Sequence, residues 1–176
     1  MIPIGVVRGA ETQAIQACLD RFAQRHRARL RIAGVIEVFG PADASGGCKA
    51  SHLRTVSGET YPLFQDLGRD AAACALLPEG VVSASEAVRR DIEAGCDLVV
   101  LSKFGKLEAE SGSGLVPAFA AALEAGCPIL TAVSPRFDAE WRAFATPLFA
   151  LLPCDDAALD QWIDGIGIGA GEKPDG

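Results

Sequence analysis

The most informative segment of the chain is Asp97-Leu-Val-Val-Leu-Ser-Lys-Phe-Gly-Lys-Leu-Glu-Ala-Glu-Ser-Gly-Ser-Gly114. Its first residues form an aliphatic run that is typical of a buried parallel strand. The remainder is rich in cations, carboxylates and glycines. Ligands of open α/β sheets bind in the loops that follow the carboxyl ends of the strands. The segment therefore predicts a parallel sheet with a ligand site directly after one of its strands.

Strand and helix patterns alternate along most of the chain. Strands are predicted at 2–7, 30–39, 96–102, 127–134 and 148–152. Helices are predicted at 12–29, 83–94, 115–125, 138–145 and 155–163. The second of these helices is expected to begin at the capping-box sequence Ser83-Ala-Ser-Glu86. This order predicts an α/β fold in three layers, with a mostly parallel sheet between two layers of helices.

The region after the second strand departs from this alternation. Residues 49–55 and 60–64 flank the sequence Val-Ser-Gly-Glu, which predicts a β-hairpin insertion laid on the sheet edge or over its top. The length of 176 residues suits a single α/β domain, which we place at 1–164. Residues 165–176 are rich in Gly and polar residues and are expected to form a flexible C-terminal tail.

Composition excludes several classes of protein. The formal net charge of -7 argues against a nucleic-acid-binding protein, because neutralising phosphates requires clustered Lys and Arg. No apolar run approaches the roughly 18 residues of a membrane span, and the N-terminus lacks the features of a signal peptide. The 6 cysteines include no Cys-x-x-Cys pair, which indicates reduced thiols. We therefore expect a cytoplasmic protein with neither nucleic acid nor membrane as partner.

The first strand ends in a degenerate phosphate-binding sequence. Gly5-Val-Val-Arg-Gly-Ala-Glu-Thr12 lies where a P-loop would lie, but Ala10 replaces its second glycine and Glu11 replaces its lysine. A carboxylate at that position repels nucleotide phosphates, so ordinary ATP hydrolysis is disfavoured. The N-terminal amides of the following helix still attract anions. Ligand-binding candidates here are Arg8, Gly9 and Thr12, although a simple turn between strand and helix is the alternative.

The loop after the Asp97 strand supplies a second set of candidates. Ser102 and Lys103 stand where a nucleoside-triphosphatase would need an acidic residue to hold magnesium. The candidate ligand-binding residues of this loop are Ser102, Lys103, Gly105 and Lys106. If the protein is an enzyme, Glu108 and Glu110 are its candidate catalytic carboxylates. The alternative interpretation is a solvated charged loop that begins a helix. In the favoured interpretation Lys103 and Lys106 bind the anion and, as exposed loop charges, contribute little to stability.

Two families resemble this sequence. The order of elements is similar to that of the small THEP-type nucleoside-triphosphatases, in which an acidic pair precedes Ile-Gly-Lys-Met-Glu. Here Phe104-Gly-Lys-Leu-Glu108 matches the latter part and Ser102-Lys103 replaces the acidic pair. A closer resemblance is to a bacterial domain-of-unknown-function family that is often encoded beside molybdate-transport genes. Its signature resembles Gln65-Asp-Leu-Gly68 with the following Cys74, then 103–110, then Thr131-Ala-Val133.

That resemblance covers roughly residues 3–153. It implies a P-loop-like fold and a role linked to molybdenum, with no established activity. The possible cofactors are accordingly molybdate or a nucleotide with magnesium.

Cysteine and histidine residues form a separate group. Cys48 and His52 have the spacing Cys-x3-His, and Cys74 lies beyond the predicted hairpin, so these three are candidate metal ligands. Buried thiols are the alternative for the cysteines. The sequence Glu-Ala-Gly-Cys occurs at 93–96 and 124–127, where a helix passes into a strand, so Cys96 and Cys127 are expected to be structural. His26 is expected at the surface near a helix C-terminus.

Three functional hypotheses remain. We favour a ligand-binding or accessory protein on a degenerate P-loop-like scaffold, which recognises an oxyanion such as molybdate or a nucleotide phosphate and acts in molybdenum homeostasis. The second is an unorthodox nucleoside-triphosphatase. The third is a protein-interaction module in metalloenzyme maturation, with the hairpin and the Cys48 region as its contact surface. A sheet edge or the hairpin also offers a surface for a homodimer.

Overall fold

The computed structural model describes residues 2–40, 50–65, 75–145 and 149–168 of the chain. Its strands are β1 (Ile4–Arg8), β2 (Ile32–Phe39), β3 (Ala50–Thr55), β4 (Thr60–Pro62), β5 (Phe64–Gln65), β6 (Ala75–Leu76), β7 (Leu98–Leu101), β8 (Ile129–Ala132) and β9 (Ala150–Pro153). Its helices are α1 (Thr12–His26), α2 (Pro78–Glu93), α3 (Lys106–Ser111), α4 (Val116–Glu124), α5 (Asp138–Phe144) and α6 (Asp156–Gly165). One turn of 3-10 helix, Pro135–Phe137, precedes α5.

A seven-stranded sheet has the order β4-β3-β2-β7-β8-β1-β9. The strands from β2 to β9 in this order are parallel, whereas β3 and β4 are antiparallel and extend the sheet beyond β2. Strands β5 and β6 form a separate two-stranded ribbon. The predicted α/β fold with a mostly parallel sheet and a hairpin insertion is therefore confirmed, and the hairpin lies at the sheet edge.

Two apolar cores hold the sheet between its helices. Alternate residues of a strand face opposite sides, so Val99 belongs to the core under α2 and α4 while Val100 belongs to the core under α1 and α6. Aliphatic residues on both sides explain the continuous apolar runs of the sequence. Within the described ranges, no helix is both long and apolar enough to cross a membrane.

Helix α6 is tied to α1 by ion pairs between arginines and aspartates. Arg29 pairs with Asp164, and Arg25 pairs with Asp160 at 2.8 Å. His26 lies between them, buried, with its Nε2 2.7 Å from the Asp160 carboxylate and its ring 4.5 Å from Phe22. The expectation of a surface histidine was therefore wrong, because α6 covers this end of α1.

Helix α2 begins five residues before the predicted capping box. Pro78 provides its first turn, and Ser83 lies inside the helix on the exposed side. Proline suits that position because its missing N–H has no helical partner there. Gly80 permits a close approach, because a Cβ there would lie 1.7 Å from the carbonyl oxygen of Pro62. The prediction of a helix start at Ser83 was wrong because contact with β4 fixes the first turn.

Several predictions fall on other parts of the chain. Cys48, Cys74, most of the loop predicted at 40–47 and residues 66–68 of the Gln65 motif lie outside the described residues. Helix α6 ends at Gly165, the first residue of the predicted tail, and residues 169–176 are also outside.

Candidate functional site

Two cavities open at the carboxyl ends of the parallel strands. The β1 cavity, of about 160 Å³, is lined by Val7, Arg8, Gly9, Ala10, Thr12, Ile15, Gln16, Lys103, Ala132, Val133, Ser134 and Pro135. The hairpin cavity, of about 240 Å³, is lined by Glu37, Leu53, Leu63, Phe64, Leu76, Val81, Ser102, Lys103, Gly105, Lys106, Leu107, Glu108, Leu115, Ser134 and Phe137. Lys103 and Ser134 line both, so the two cavities share a wall.

The β1 cavity lies at the N-terminus of the 15-residue helix α1. Gly9 turns the chain there with a φ of +87°, which favours glycine. Glu11 is the N-cap residue, but its side chain makes no capping hydrogen bond, and the first turn of α1 holds no acidic residue. The amides of the first turn have no intrahelical partner, and together with the helix dipole they favour an anion.

Arg8 extends from the end of β1 into the wall of this cavity. Its guanidinium forms a two-point ion pair with Asp138, in which Nη1 lies 3.0 Å from Oδ2 and Nη2 contacts Oδ1. Hydrogen bonding from Arg8 lowers the pKa of the Asp138 carboxyl below its ordinary value. The Nε of Arg8 is buried and has no hydrogen-bond partner among the described residues. One N–H donor in the cavity wall is thus left unmatched.

Lys103 is paired with a carboxylate that sequence reasoning did not single out. Its Nζ lies 2.9 Å from Oε1 of Glu37, whose side chain is only 3% exposed. The Lys103 side chain is 37% exposed, as expected of a loop charge, but sequence reasoning did not foresee its pairing with Glu37, which projects from β2. Lys103 also lines the β1 cavity, so a residue of that cavity is paired with Glu37.

Gln16 fixes the strands on which this pair stands. Its side-chain Nε2 donates to the carbonyl oxygen of Ser102 at 2.8 Å, and its Oε1 accepts from the Glu37 N–H at 3.0 Å. Gln16 is itself buried. It therefore links the carboxyl ends of β2 and β7 and holds the backbone of both charged residues in place.

Glu108 closes the loop between α3 and α4. Its Oε2 accepts the N–H of Gly105 at 2.9 Å, and its Oε1 accepts the N–H of Leu115 at 2.8 Å. Burial raises the pKa of the Glu108 carboxyl, against the lowering effect of these backbone hydrogen bonds. A catalytic role for Glu108 stays a prediction, although both oxygens already hold the backbone. Glu110, the other candidate, is exposed on α3.

Phe104 anchors the lysine-bearing loop in the core. It is 2% exposed, its N–H donates to the carbonyl of Ala132 at 2.8 Å, and its carbonyl accepts from Ser134 at 3.1 Å. Its ring meets Trp141 with a centroid distance of 5.3 Å. Because Phe104 is fixed in this way, the backbone that carries Lys103 and Lys106 is held at the carboxyl ends of the parallel strands.

The predicted ligand-binding residues divide between the two cavities. Arg8, Gly9 and Thr12 line the β1 cavity together with Lys103. The hairpin cavity instead receives Ser102, Gly105 and Lys106, also with Lys103. Only Lys103 joins the groups, so the structure offers two adjacent sites where sequence reasoning proposed one.

Of the three proposed metal ligands, the structure describes only His52. His52 lies on β3, in register with Val38 and Pro62, while Cys48 and Cys74 are outside the described residues. Elsewhere in the described part of the chain, no three His, Cys, Asp or Glu residues converge in a way that would hold a metal ion. The metal site stays a prediction.

Comparison with known proteins assigns the chain to a family. A family model described as "Protein of unknown function (DUF2478)" matches residues 4–162. The chain belongs to the DUF2478 family. This confirms the resemblance to a bacterial domain-of-unknown-function family.

The DUF2478 chain is also similar to a named curated protein and to a solved structure. It is 37% identical over 139 residues to the "Molybdenum import ATP-binding protein ModC 2" of Bradyrhizobium diazoefficiens, a match covering 77% of this chain and 15% of that protein. It aligns with the "Solution Structure of a Human Cancer-Related Nucleoside Triphosphatase" at a TM-score of 0.53 and 15% identity, over 98% of both chains. The structural match confirms the P-loop-like fold.

Sequence reasoning did not single out three residues that contact the candidate site residues of this DUF2478 chain: Glu37, Gln16 and Asp138. A signal existed for Glu37, which is the one charged residue in the strand sequence Ile32–Phe39 and stands near its carboxyl end. Gln16 is likewise a polar residue among the mostly apolar buried residues of α1. Asp138 begins the helix predicted at 138–145, but its pairing with Arg8 joins residues 130 positions apart, which no local pattern indicates.

Proposed function

We propose that this DUF2478 protein is a non-hydrolysing ligand-binding or accessory protein that binds a tetrahedral oxyanion in its β1 cavity. The anion is molybdate-like or is the phosphate of a nucleotide. The observation that carries the proposal is the uncapped N-terminus of α1 in a cavity lined by Arg8, whose Nε has no hydrogen-bond partner in the residues that the structure describes. An oxyanion offers several acceptors to such donors, and charge-assisted hydrogen bonds are the stronger kind.

The charge around the cavity supports weak and selective binding rather than general attraction of anions. Asp138 compensates Arg8, and Glu37 compensates Lys103. An incoming anion must therefore compete with two carboxylates. Competition of this kind favours a ligand whose oxygens match the fixed donors over a ligand that merely carries charge.

A link to molybdenum comes from the curated relative. That protein is named for molybdenum import and ATP binding, and this chain matches only 15% of its length. The matched part is too small to stand for the whole protein, so the name supports a place in molybdenum homeostasis and not a particular activity. An accessory domain that senses the transported anion would fit both the name and the cavity.

The groups present favour binding over hydrolysis. Glu11 stands at the N-cap of α1, where a P-loop would supply lysine, and Ser102-Lys103 follows β7. Glu108 is engaged by the amides of Gly105 and Leu115. To hold magnesium or to orient water, Glu108 would have to leave these backbone partners first, while Glu110, the other candidate, is exposed on α3.

Isothermal titration tests the proposal. Molybdate, tungstate, sulfate and phosphate are titrated singly, and ATP with and without magnesium. We expect heat with at least one oxyanion, and about 10- to 100-fold weaker binding in Arg8→Gln, since a charge-assisted hydrogen bond is worth roughly 1.5–3 kcal/mol. The matched control is Arg27→Gln, which removes an exposed arginine at the other end of α1 and should bind like the parent protein.

Two results would contradict the proposal. The first is the absence of heat with every oxyanion and with ATP. The second is magnesium-dependent release of phosphate from ATP, which would favour the nucleoside-triphosphatase.

A further inference from the structure

The hairpin cavity combines apolar walls, which include Leu53, Leu63, Val81 and Phe137, with two buried carboxylates. Glu108 already accepts backbone N–H groups on both of its oxygens, so Glu37 is the carboxylate left to a ligand. At about 240 Å³ it is smaller than the roughly 300–1,000 Å³ of pockets for drug-sized ligands, so it suits one flat ring system. These apolar walls offer no hydrogen-bond donors to the oxyanion proposed for the β1 cavity.

Glu37 requires a hydrogen-bond donor wherever the cavity is closed to water. A buried carboxylate is costly unless it is paired and hydrogen-bonded. Lys103 provides that partner at 2.9 Å, but Lys103 also lines the β1 cavity. An anion in the β1 cavity draws the ammonium group toward itself, and the Glu37 carboxylate then needs donors from within the hairpin cavity.

The chemistry of a carboxylate selects the class of ligand. Its two oxygens accept two parallel N–H bonds, as they do from an arginine fork. Lys103 and Lys106 line the same cavity and balance the carboxylates of Glu37 and Glu108, so the cavity has no excess negative charge for a cationic fork. A neutral ring with two adjacent N–H donors on one edge satisfies Glu37 without adding charge, and its faces match the apolar walls.

We infer that the hairpin cavity binds a neutral nitrogen heterocycle of the guanine type, with its adjacent ring N–H and amino group donating to Glu37. Lys103 couples this site to the β1 cavity, so that an oxyanion bound there tightens the binding of the heterocycle. The ring site itself does not depend on the proposed function, whereas the coupling rests on it.

Three nucleosides test the ring site on the unaltered protein by isothermal titration. Guanosine presents two adjacent N–H donors, inosine lacks the amino group, and adenosine lacks the ring N–H. We expect guanosine to bind about 10- to 100-fold more tightly than inosine, the value of one hydrogen bond to a charged group. Equal affinities for the three, or no heat with guanosine, would overturn the inference.

A variant pair locates the site. Glu37→Gln replaces one acceptor oxygen by a donor and should abolish the preference for guanosine over inosine. The matched control Glu124→Gln changes an exposed carboxylate of α4 and should keep that preference. If Glu37→Gln keeps the preference with its thermal unfolding unchanged, the carboxylate does not read the ring.

The coupling is measured by repeating the guanosine titration with saturating molybdate or phosphate. We expect tighter guanosine binding, and by reciprocity an equal tightening of the oxyanion by guanosine. Guanosine binding without any oxyanion binding would refute the proposed function and its coupling but keep the ring site. Oxyanion binding without guanosine binding would refute the ring site and the coupling but keep the proposed function.

Discussion

Lys103 is the residue on which both cavities depend. It follows β7, lies 2.9 Å from the buried Glu37 carboxylate and lines the β1 cavity on its other side. A lysine in this position neutralises a buried charge and also presents a hydrogen-bond donor to a neighbouring ligand. Its effect on stability is therefore larger than that of an ordinary surface lysine.

Replacing Lys103 by methionine should destabilise the protein. The change leaves the Glu37 carboxylate buried without its ammonium partner, which costs about 1–3 kcal/mol once the partial exposure of the lysine is considered. Urea denaturation gives the free energy of unfolding. Adding Glu37→Gln to Lys103→Met should recover part of the loss, since no uncompensated charge remains. A loss below about 0.5 kcal/mol in the single variant would make Lys103 an ordinary exposed charge.

Replacing Phe104 by alanine should be more damaging still. The ring is fully buried against Phe119, Trp141 and Phe144, and large-to-small changes of this type cost about 3–5 kcal/mol. Thermal unfolding followed by circular dichroism measures the loss. Leu151→Ala is the comparison, because that side chain is 52% exposed and its removal should matter little. Similar losses in both variants would show that Phe104 does not anchor its loop.

At the scale of elements, the junction between α3 and α4 depends on one carboxylate. Glu108 caps α3 at Gly105 and also receives the N–H of Leu115 at the start of α4. The chain between them turns at Gly112 and Gly114, with φ of +60° and +62°. A substituted residue would suffer the same backbone strain at either glycine, but only Gly114 lies against the Glu108 side chain.

Alanine at these two glycines separates strain from displacement. A Cβ at Gly114 would lie 2.3 Å from Oε1 of Glu108, whereas a Cβ at Gly112 meets nothing within 4 Å. Gly112→Ala should cost only the left-handed backbone penalty of roughly 1–2 kcal/mol. Gly114→Ala should cost about 1–3 kcal/mol more, since two buried amides lose their acceptor. Equal losses by urea denaturation would mean that Glu108 moves aside without penalty.

The elements differ in how well sequence predicts them. The strands and the hairpin followed from aliphatic runs and turn residues, which are local signals. The start of α2 at Pro78 depended on contact with β4, and no local pattern reports such a contact. The site shows the same division. The loops that carry Arg8 and Lys103 were predicted from their position after strands, but their partners Asp138 and Glu37 come from distant parts of the chain.

At the scale of the whole molecule, ion pairs limit stability at acid pH and thiols limit it at alkaline pH. Hydrogen bonding from arginine lowers the pKa of Asp97, Asp138 and Asp156 below the ordinary value of 3.8. These groups contribute stability that is present above that value and is lost as the pH falls through their lowered values. Burial raises the pKa of Cys18 and of Cys96 from 9.0 to about 12. Their contribution is present below 9.0 and is lost as the pH rises toward about 12.

The free energy of unfolding should therefore form a plateau between these limits. Urea denaturation across the pH range should show it falling below about pH 4 and again above about pH 9. High salt should make the fall in the free energy of unfolding at acid pH smaller, because exposed ion pairs are screened. It should leave the fall at alkaline pH, here called the alkaline limb, largely intact, whereas Cys96→Ala should reduce that alkaline limb. An alkaline limb unchanged by Cys96→Ala would show that the thiol does not contribute to it.

The position of β1 has a consequence for how the chain reaches this structure. The first strand lies between β8 and β9, so Gly5 pairs with Leu130 on one side and with Ala150 on the other. Neither neighbour exists until most of the chain has been synthesised. Sheets that depend on such distant pairings fold slowly, because a long loop must close before any contact is gained. We therefore expect the strand that carries Arg8 to be among the last to pair, so that the β1 cavity forms late in folding.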